Sequence, residues 1–192
     1  KTYAELARER VLTPPKLTMH LGDDGGWPHR NAFSIDMPAY VDWLDVAGMK
    51  WAVATWDLET DVPISSQILL FDLDDGEFTA VMEGMHVTGV RTALQSVVGI
   101  EHLAAATPST IGLFGAGFQA GFQVSTIDSL VDVDEFRVYD VDTERAREFA
   151  AELDPETDAR IVVADSPAEA AGQDVVITVT DSKTPVLEAE WL

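Results

Sequence analysis

Two hydrophobic periods divide this chain: short β-rich runs as far as Met82, then from Thr88 the 3.6-residue spacing of a helix followed by alternating strand-like and helix-like segments. Lys1 to Leu12 reads as a helix fragment with Tyr3, Leu6 and Ala7 as a partial apolar face, ended by Thr13-Pro14-Pro15. Gly22 to Asn31 is turn-like. Ala39 to Val41 is expected as an edge strand and Met49 to Trp56 as a strand, with Lys50, Ala52, Ala54 and Trp56 on one face. Gln67–Leu73 and Glu77–Met82 flank Asp74-Asp75-Gly76, a hairpin signal. Val90, Ala93, Leu94, Val97 and Ile100 to Leu103 predict a helix from Thr88 to about Ala106. Thr107-Pro108-Ser109 breaks it, placing a domain boundary between 1–108 and 109–192.

The second region alternates strand and helix. Thr110–Phe114, Glu135–Tyr139, Arg160–Val163 and Asp174–Val179 are the expected strands, with helices over Gly117–Leu130 and Thr143–Leu153. A short third helix opens at Ser166-Pro167-Ala168-Glu169, where a capping serine precedes proline at the first helical position. This alternation predicts an α/β fold with a Rossmann-type parallel sheet, preceded by a mixed α+β region. Four strands are fewer than a two-half dinucleotide domain uses, so the sheet is expected to be incomplete in this chain.

Between the first strand and its helix lies Gly115-x-Gly117-x-x-Ala120. The first glycine permits the tight turn, the second leaves room for a pyrophosphate, and Ala120 allows close helix packing. Asp140 stands 25 residues after Gly115, at the end of the second strand. An acid there can accept both adenosine ribose hydroxyls and repel a 2′-phosphate, which favours NAD over NADP. The competing reading is an α/β domain that binds no nucleotide.

Charge narrows the partners. With 34 acidic and 12 basic residues the formal charge is −22, spread over both halves. Such a surface repels nucleic acid and anionic membranes, and no basic stripe offsets it. It suits a salt-adapted, halophilic protein, because the Debye length falls to about 3 Å at molar salt. Cysteine is absent, which excludes disulfides and thiol catalysis. No apolar run approaches a membrane span and no signal peptide is evident, so a cytoplasmic location is expected.

Lysine occurs only at positions 1, 16, 50 and 183. Lys50 sits between Met49 and Trp51 on a predicted strand, where a partly desolvated ammonium could bind a carboxylate or move a proton; a snorkelling strand lysine is the equal alternative. Arg91, expected in the first turn of its helix, could join free backbone N–H groups in holding an anion, or form a structural ion pair. His20, His29, His86 and His102 lack metal-ligand spacing, and His102 falls among helical core positions. Asp72, Asp74 and Asp75 read as a solvated hairpin turn, so no metal is expected. Trp43, Trp51 and Trp56 could line a pocket or an interface, and Phe118 reads as packing beside the glycine turn.

Taken in order, several segments resemble the ornithine cyclodeaminase/mu-crystallin family, which includes NAD-dependent alanine dehydrogenases. They are Met37-Pro38-Ala39-Tyr40, Gly48-Met49-Lys50-Trp51, Met82-Glu83-Gly84, Thr88-x-x-Arg91-Thr92-Ala93, Gly115-Ala116-Gly117-x-Gln119-Ala120-x-x-Gln123, Asp174-Val175-Val176, Thr178-x-Thr180 and Pro185-Val186-Leu187. The resemblance implies a substrate-binding and dimerisation domain followed by the first part of a Rossmann NAD-binding domain, in a homodimer. It implies Lys50 as the active-site lysine and Arg91, with Lys16 and Thr88, at the substrate carboxylate. Thr92, Gly115, Ala116, Gly117, Phe118, Gln119, Ala120, Asp140 and Thr180 would line the NAD site.

The implied activity is NAD-dependent chemistry at the Cα–N bond of a small amino acid: ornithine to proline and ammonia in the cyclodeaminase version. The alternatives are an amino-acid dehydrogenase or imine reductase, and a noncatalytic mu-crystallin-like binder. Two segments depart from the family pattern. Lys16 follows Thr13-Pro14-Pro15 where an arginine is common, and Thr55-Trp56-Asp57-Leu58-Glu59 replaces a glycine/proline/asparagine-rich stretch. The family's catalytic aspartate is expected beyond residue 192.

Overall fold

The computed structural model describes residues 1–22, 32–55 and 64–192. The turn expected over Gly22 to Asn31 therefore lies almost wholly outside the described residues, as do Trp56 and most of the segment Thr55 to Glu59. The chain divides into two compact units, Lys1–Val87 and Thr88–Leu192.

In the first unit a short helix α1 (Thr2–Leu6) precedes six strands: β1 (Val11–Leu12), β2 (Leu17–Leu21), β3 (Ala32–Val41), β4 (Val46–Thr55), β5 (Ile64–Phe71) and β6 (Phe78–Glu83). They form one antiparallel sheet, β1-β3-β4-β5-β6, with β2 also on β3. The helix expected through Leu12 stops early. Glu9 takes a left-handed φ of 59°, and Val11 and Leu12 pair with Val41 and Tyr40 instead. Tyr3 and Leu6 are exposed, while Glu5 is the buried residue of that helix, held by Arg8 and Arg10.

The edge strand expected at Ala39–Val41 is the end of β3, an interior strand. Its residues 32–36 pair with β2 and residues 40–41 with β1, leaving Met37, Pro38 and Ala39 paired with β4 alone. Proline, which has no N–H to donate, falls in that gap. The β5–β6 hairpin forms as expected: Asp72 N–H donates to the Glu77 carbonyl, and Gly76 supplies the positive φ of 75°. Carboxylates of Asp72 and Asp75 accept from the N–H groups of Asp74 and Glu77 inside that turn.

Helix α2 (Met85–Leu103) begins in the last residues of the first unit and runs into the second. There follow β7 (Thr110–Phe114), α3 (Phe118–Leu130), β8 (Glu135–Tyr139), α4 (Thr143–Leu153), β9 (Arg160–Val163), α5 (Pro167–Ala171) and β10 (Val175–Thr178). These strands are all parallel, in the order β10-β7-β8-β9. Read from β9, that is the 3-2-1-4 order of a Rossmann half, with a crossover between β9 and β10 that opens a crevice at the carboxyl ends of β7 and β10.

The core of this unit lies on Ile111, Leu113, Val124, Ile127, Phe136 and Val138, all essentially inaccessible. Ile100 of α2 belongs to the same core, with Val97 and Ala104 against it. That packing explains why the units divide at Val87/Thr88, ahead of the break expected at Thr107-Pro108-Ser109: the apolar face of α2 is covered within the second unit. Gly112, mid-strand in β7, lets α5 approach so closely that a Cβ there would stand 1.8 Å from the Ala170 carbonyl oxygen.

Candidate dinucleotide-binding site

The glycine turn leaves β7 between the ends of its two neighbours. Gly115 takes φ 98°, in the left-handed region, and its N–H donates to the Tyr139 carbonyl at 2.8 Å. On the other side Val179 N–H donates to the Phe114 carbonyl at 2.8 Å. A Cβ on Gly115 would lie 2.7 Å from the Val179 carbonyl oxygen and 3.2 Å from Thr180 Cγ2. Gly115 and Thr180 are thus brought together, and glycine at 115 is required twice over, by conformation and by space.

Gly117 is different. It is the N-cap of α3 in extended backbone, and among the described residues nothing lies within 4 Å of where its Cβ would be and no side chain caps this helix. The neighbouring helices are closed by the chain's own oxygens: Glu83 accepts from Met85 and His86 N–H, Asp142 from Glu144 and Arg145 N–H, and Ser166 from Glu169 N–H. The open space and uncapped N–H groups at Gly117 fit a diphosphate, whose charge the helix dipole also favours. Gln119 Oε1, in the first turn of α3, is a further fit, being buried without a hydrogen-bond partner among the described residues. Ala120 is wholly buried, and its small side chain lets α3 lie close to the sheet.

Asp140 at the end of β8 is buried, and its carboxylate is already engaged. Oδ2 accepts from Ala116 N–H at 2.9 Å; Oδ1 accepts from Asp142 N–H at 2.9 Å and from Arg145 Nη2 at 2.7 Å. Burial raises its pKa, but the hydrogen bonds from Arg145, Asp142 and Ala116 together outweigh it and hold the carboxyl below its ordinary value. A carboxylate offers about four lone-pair sites, of which three are filled. Asp140 therefore keeps acceptor capacity beyond these three bonds, on the Oδ2 side. Arg145, five residues downstream, was not singled out from the sequence.

Phe118 is half-exposed at the mouth of the turn, its ring 5.0 Å from that of Phe122. On α2, Thr92 Oγ1 donates to the Thr88 carbonyl at 2.7 Å. Arg91 is exposed and donates from Nη1 to Gln95 Oε1 at 3.0 Å. Its expected place in the first turn is corrected: the helix starts at Met85, so Arg91 lies in the second turn. The first N–H groups of α2 belong to the Glu83 carboxylate, whose pKa those bonds lower. His102, expected among core positions, is exposed beside Glu101.

In the first unit Lys50 is half-buried in the middle of β4, opposite Met37 on β3 and Ile68 on β5. It shares a face with the buried Ala52 and Ala54, as alternation predicted. Lys16 is exposed between β1 and β2. Trp51 points to the other face and donates from Nε1 to Ser34 Oγ at 2.6 Å, and Trp43 lies beneath the Lys1 ammonium at 5.2 Å.

The 3-2-1-4 parallel sheet with an open glycine turn defines a Rossmann-type dinucleotide-binding unit, here joined to an antiparallel-sheet unit. The chain belongs to the Ornithine cyclodeaminase/mu-crystallin family, whose profile matches residues 4–192. It is 30% identical over 159 residues to alanine dehydrogenase of Archaeoglobus fulgidus, covering 81% of this chain and 48% of that protein. To mouse ketimine reductase mu-crystallin it is 32% identical over 168 residues, covering 85% of this chain and 52% of that protein. The structure is similar to that of Thermococcus litoralis Δ1-pyrroline-2-carboxylate reductase in complex with NADH and L-proline. The TM-score is 0.90 at 25% identity, over 99% of this chain and 58% of the other. The chain spans about half the length of the curated relatives it matches.

Proposed function

We propose that the protein is an NAD-dependent oxidoreductase acting at the Cα–N bond of a small amino acid or the corresponding cyclic imine. The observation that carries this reading is the uncapped end of α3 at Gly117, open beside a glycine turn in the crevice between β7 and β10. The alanine dehydrogenase and imine-reducing relatives support it. NAD held there supplies reversible hydride transfer at Cα. Gly115, Ala116, Gly117, Phe118, Gln119 and Ala120 form the cofactor loop, with Thr92, Asp140 and Thr180 around it.

On the substrate side, Arg91 binds the carboxylate as a planar fork, with Lys16 adding charge and Thr88 shaping the cleft. Lys50, in the first unit, is assigned to carboxylate binding or to moving a proton at the Cα nitrogen. The protein is read as a salt-adapted cytoplasmic homodimer, and the exposed Leu12 and Leu17 of the first unit offer apolar surface to a second copy.

A second reading, cyclodeamination of ornithine, is favoured by the family to which the chain belongs. Incubation of the protein with NAD and a panel of amino acids, followed by chromatography, separates the two. Keto acid or imine formed with stoichiometric NADH supports the oxidoreductase. Proline and ammonia from ornithine without net NADH supports cyclodeamination, and NAD binding with no turnover of any panel member supports a noncatalytic binder.

A further inference from the structure

Strands β3 to β6 hold only two acidic residues, and both fall on one face of the sheet: Asp36 pairs with Trp51, Trp51 with Gln67, and Gln67 with Glu83. Lys50 lies on the other face. Directly opposite it stand Met37 and Ile68, and diagonal to it, on either side of the buried Ala52, stand Ile35 and Ser66. Side chains so placed lie about 4.5–8 Å apart, within reach of one small ligand. Ser66 is the polar member of that group. It is 3% exposed, its Oγ has no hydrogen-bond partner, and a Cβ on Gly84 would lie 2.5 Å from that oxygen. Among the described residues of the sheet, an otherwise acid-rich chain thus surrounds its half-buried strand lysine with hydrocarbon and one neutral hydroxyl.

Resting on the oxidoreductase reading above and its use of Lys50, we propose that this face selects substrates whose only nitrogen is the one on Cα: amino acids with hydrocarbon side chains, or the cyclic imines that correspond to them. Ile35 and Met37 supply apolar contact for such a side chain. A second ammonium, as in ornithine or 2,4-diaminobutyrate, gives up its hydration against these groups with no carboxylate of the sheet face to replace it, and the Lys50 ammonium repels it. Ser66 cannot balance that charge, since its hydroxyl is neutral. Losing the proton instead runs against an ordinary amine pKa of about 10.4. Ile35 is the specificity-determining position: it is part-buried and stands two strand positions from Met37, on the lysine's face but not directly opposite it. An acid placed there supplies the missing charge without pairing face to face with Lys50.

The test compares substrates of matched shape: L-norleucine against L-ornithine, and L-norvaline against L-2,4-diaminobutyrate, where a terminal methyl group takes the place of the ammonium. Intact wild type and Ile35→Glu receive NAD and each compound at about pH 8, where the side-chain amine is charged. Consumption is followed by chromatography, so that turnover with and without net NADH counts alike, and melting temperatures are the folding controls. A compound that is not consumed is scored as a competitive inhibitor of the amino acid that wild type turns over fastest. Wild type should favour the hydrocarbon member of each pair by about a hundredfold or more in kcat/KM or Ki, the scale of burying an unpaired charge. Ile35→Glu should shrink both ratios by at least about tenfold. The wild-type ratios decide the main claim whether or not the variant folds. Wild type that takes the diamine as readily as its partner would overturn this inference and leave the oxidoreductase reading standing. Unmoved ratios in a folded Ile35→Glu would overturn the role of Ile35. A protein that consumes no amino acid or cyclic imine would overturn the oxidoreductase reading and this inference with it.

Discussion

The Asp140 carboxylate and the Ala116 backbone N–H are 2.9 Å apart, so the acid at the end of β8 is bonded directly to the glycine turn at the end of β7. The same carboxylate gathers Asp142 N–H and the Arg145 side chain. It therefore fixes the shape of the turn before any cofactor arrives, and pre-organisation of this kind lowers the ordering cost of binding.

Asp140→Asn should test that brace. Its amide NH2 would face one of three donors and leave it unpaired, costing about 1–3 kcal/mol, or a fall in Tm of roughly 2–10 °C for a chain of this size. The folded pKa of Asp140 is depressed, so its stabilisation is fully present above the unfolded value of about 3.9 and lost as pH falls through the folded value. Thermal melts should show a constant gap between wild type and variant above about pH 5 that narrows progressively as pH falls below about 4. A gap that stays constant through the acid range until both proteins unfold would contradict the charged role.

Gly115→Ala and Gly112→Ala should both destabilise, for different reasons. At 115 the methyl group meets a left-handed φ of 98° and the Val179 carbonyl, at a cost of about 1–3 kcal/mol in backbone strain alone. At 112 the backbone is unstrained but α5 must move off β7, an overpacking cost of about 1–3 kcal/mol. Chemical denaturation measures both, and wild-type stability in either variant would show that the close approaches are not needed.

Lys50→Ala should abolish turnover, by roughly a hundredfold or more as expected for a lost proton-transfer group, and leave NAD affinity unchanged. Lys50→Gln, which keeps most of the length, should not recover the activity. Parallel steady-state assays and NAD titrations give the answer, and a variant with near-normal kcat would remove Lys50 from the chemistry.

The formal charge of −22 should make stability depend on salt in the opposite sense to a protein held by surface ion pairs. The Tm is expected to rise steadily from about 0.1 M to molar KCl as self-repulsion is screened over a Debye length falling from about 10 Å to about 3 Å. A Tm that is flat or falls over that range would speak against salt adaptation.

Much of the second unit was legible because its signals are local. The Gly115-x-Gly117-x-x-Ala120 turn, the Ser166-Pro167 helix start and the four apolar runs each fix a nearby element. The first unit was harder to read. Val11 and Leu12 are drawn into a strand by β3, and Pro38 hides an interior strand because its tolerance depends on a gap between two neighbours distant in sequence. The start of α2 was placed late because Met85-His86-Val87 has no serine, threonine or aspartate cap; the cap is Glu83, reached across Gly84. Arg145 went unread for a similar reason, since only the strand-to-helix turn brings it onto Asp140. Asp140 itself was found by spacing, but its spare hydrogen-bonding capacity is a property of packing that no spacing reveals.

The most direct test of the dinucleotide site is NAD titration of wild type against Gly117→Ala. The space beside Gly117 is open and its backbone is extended, so an added methyl group should leave Tm unchanged. The same methyl group would occupy the ground assigned to the diphosphate, and NAD affinity should fall by roughly tenfold or more. Equal affinity in the two proteins, or no NAD binding by the wild type, would contradict the account.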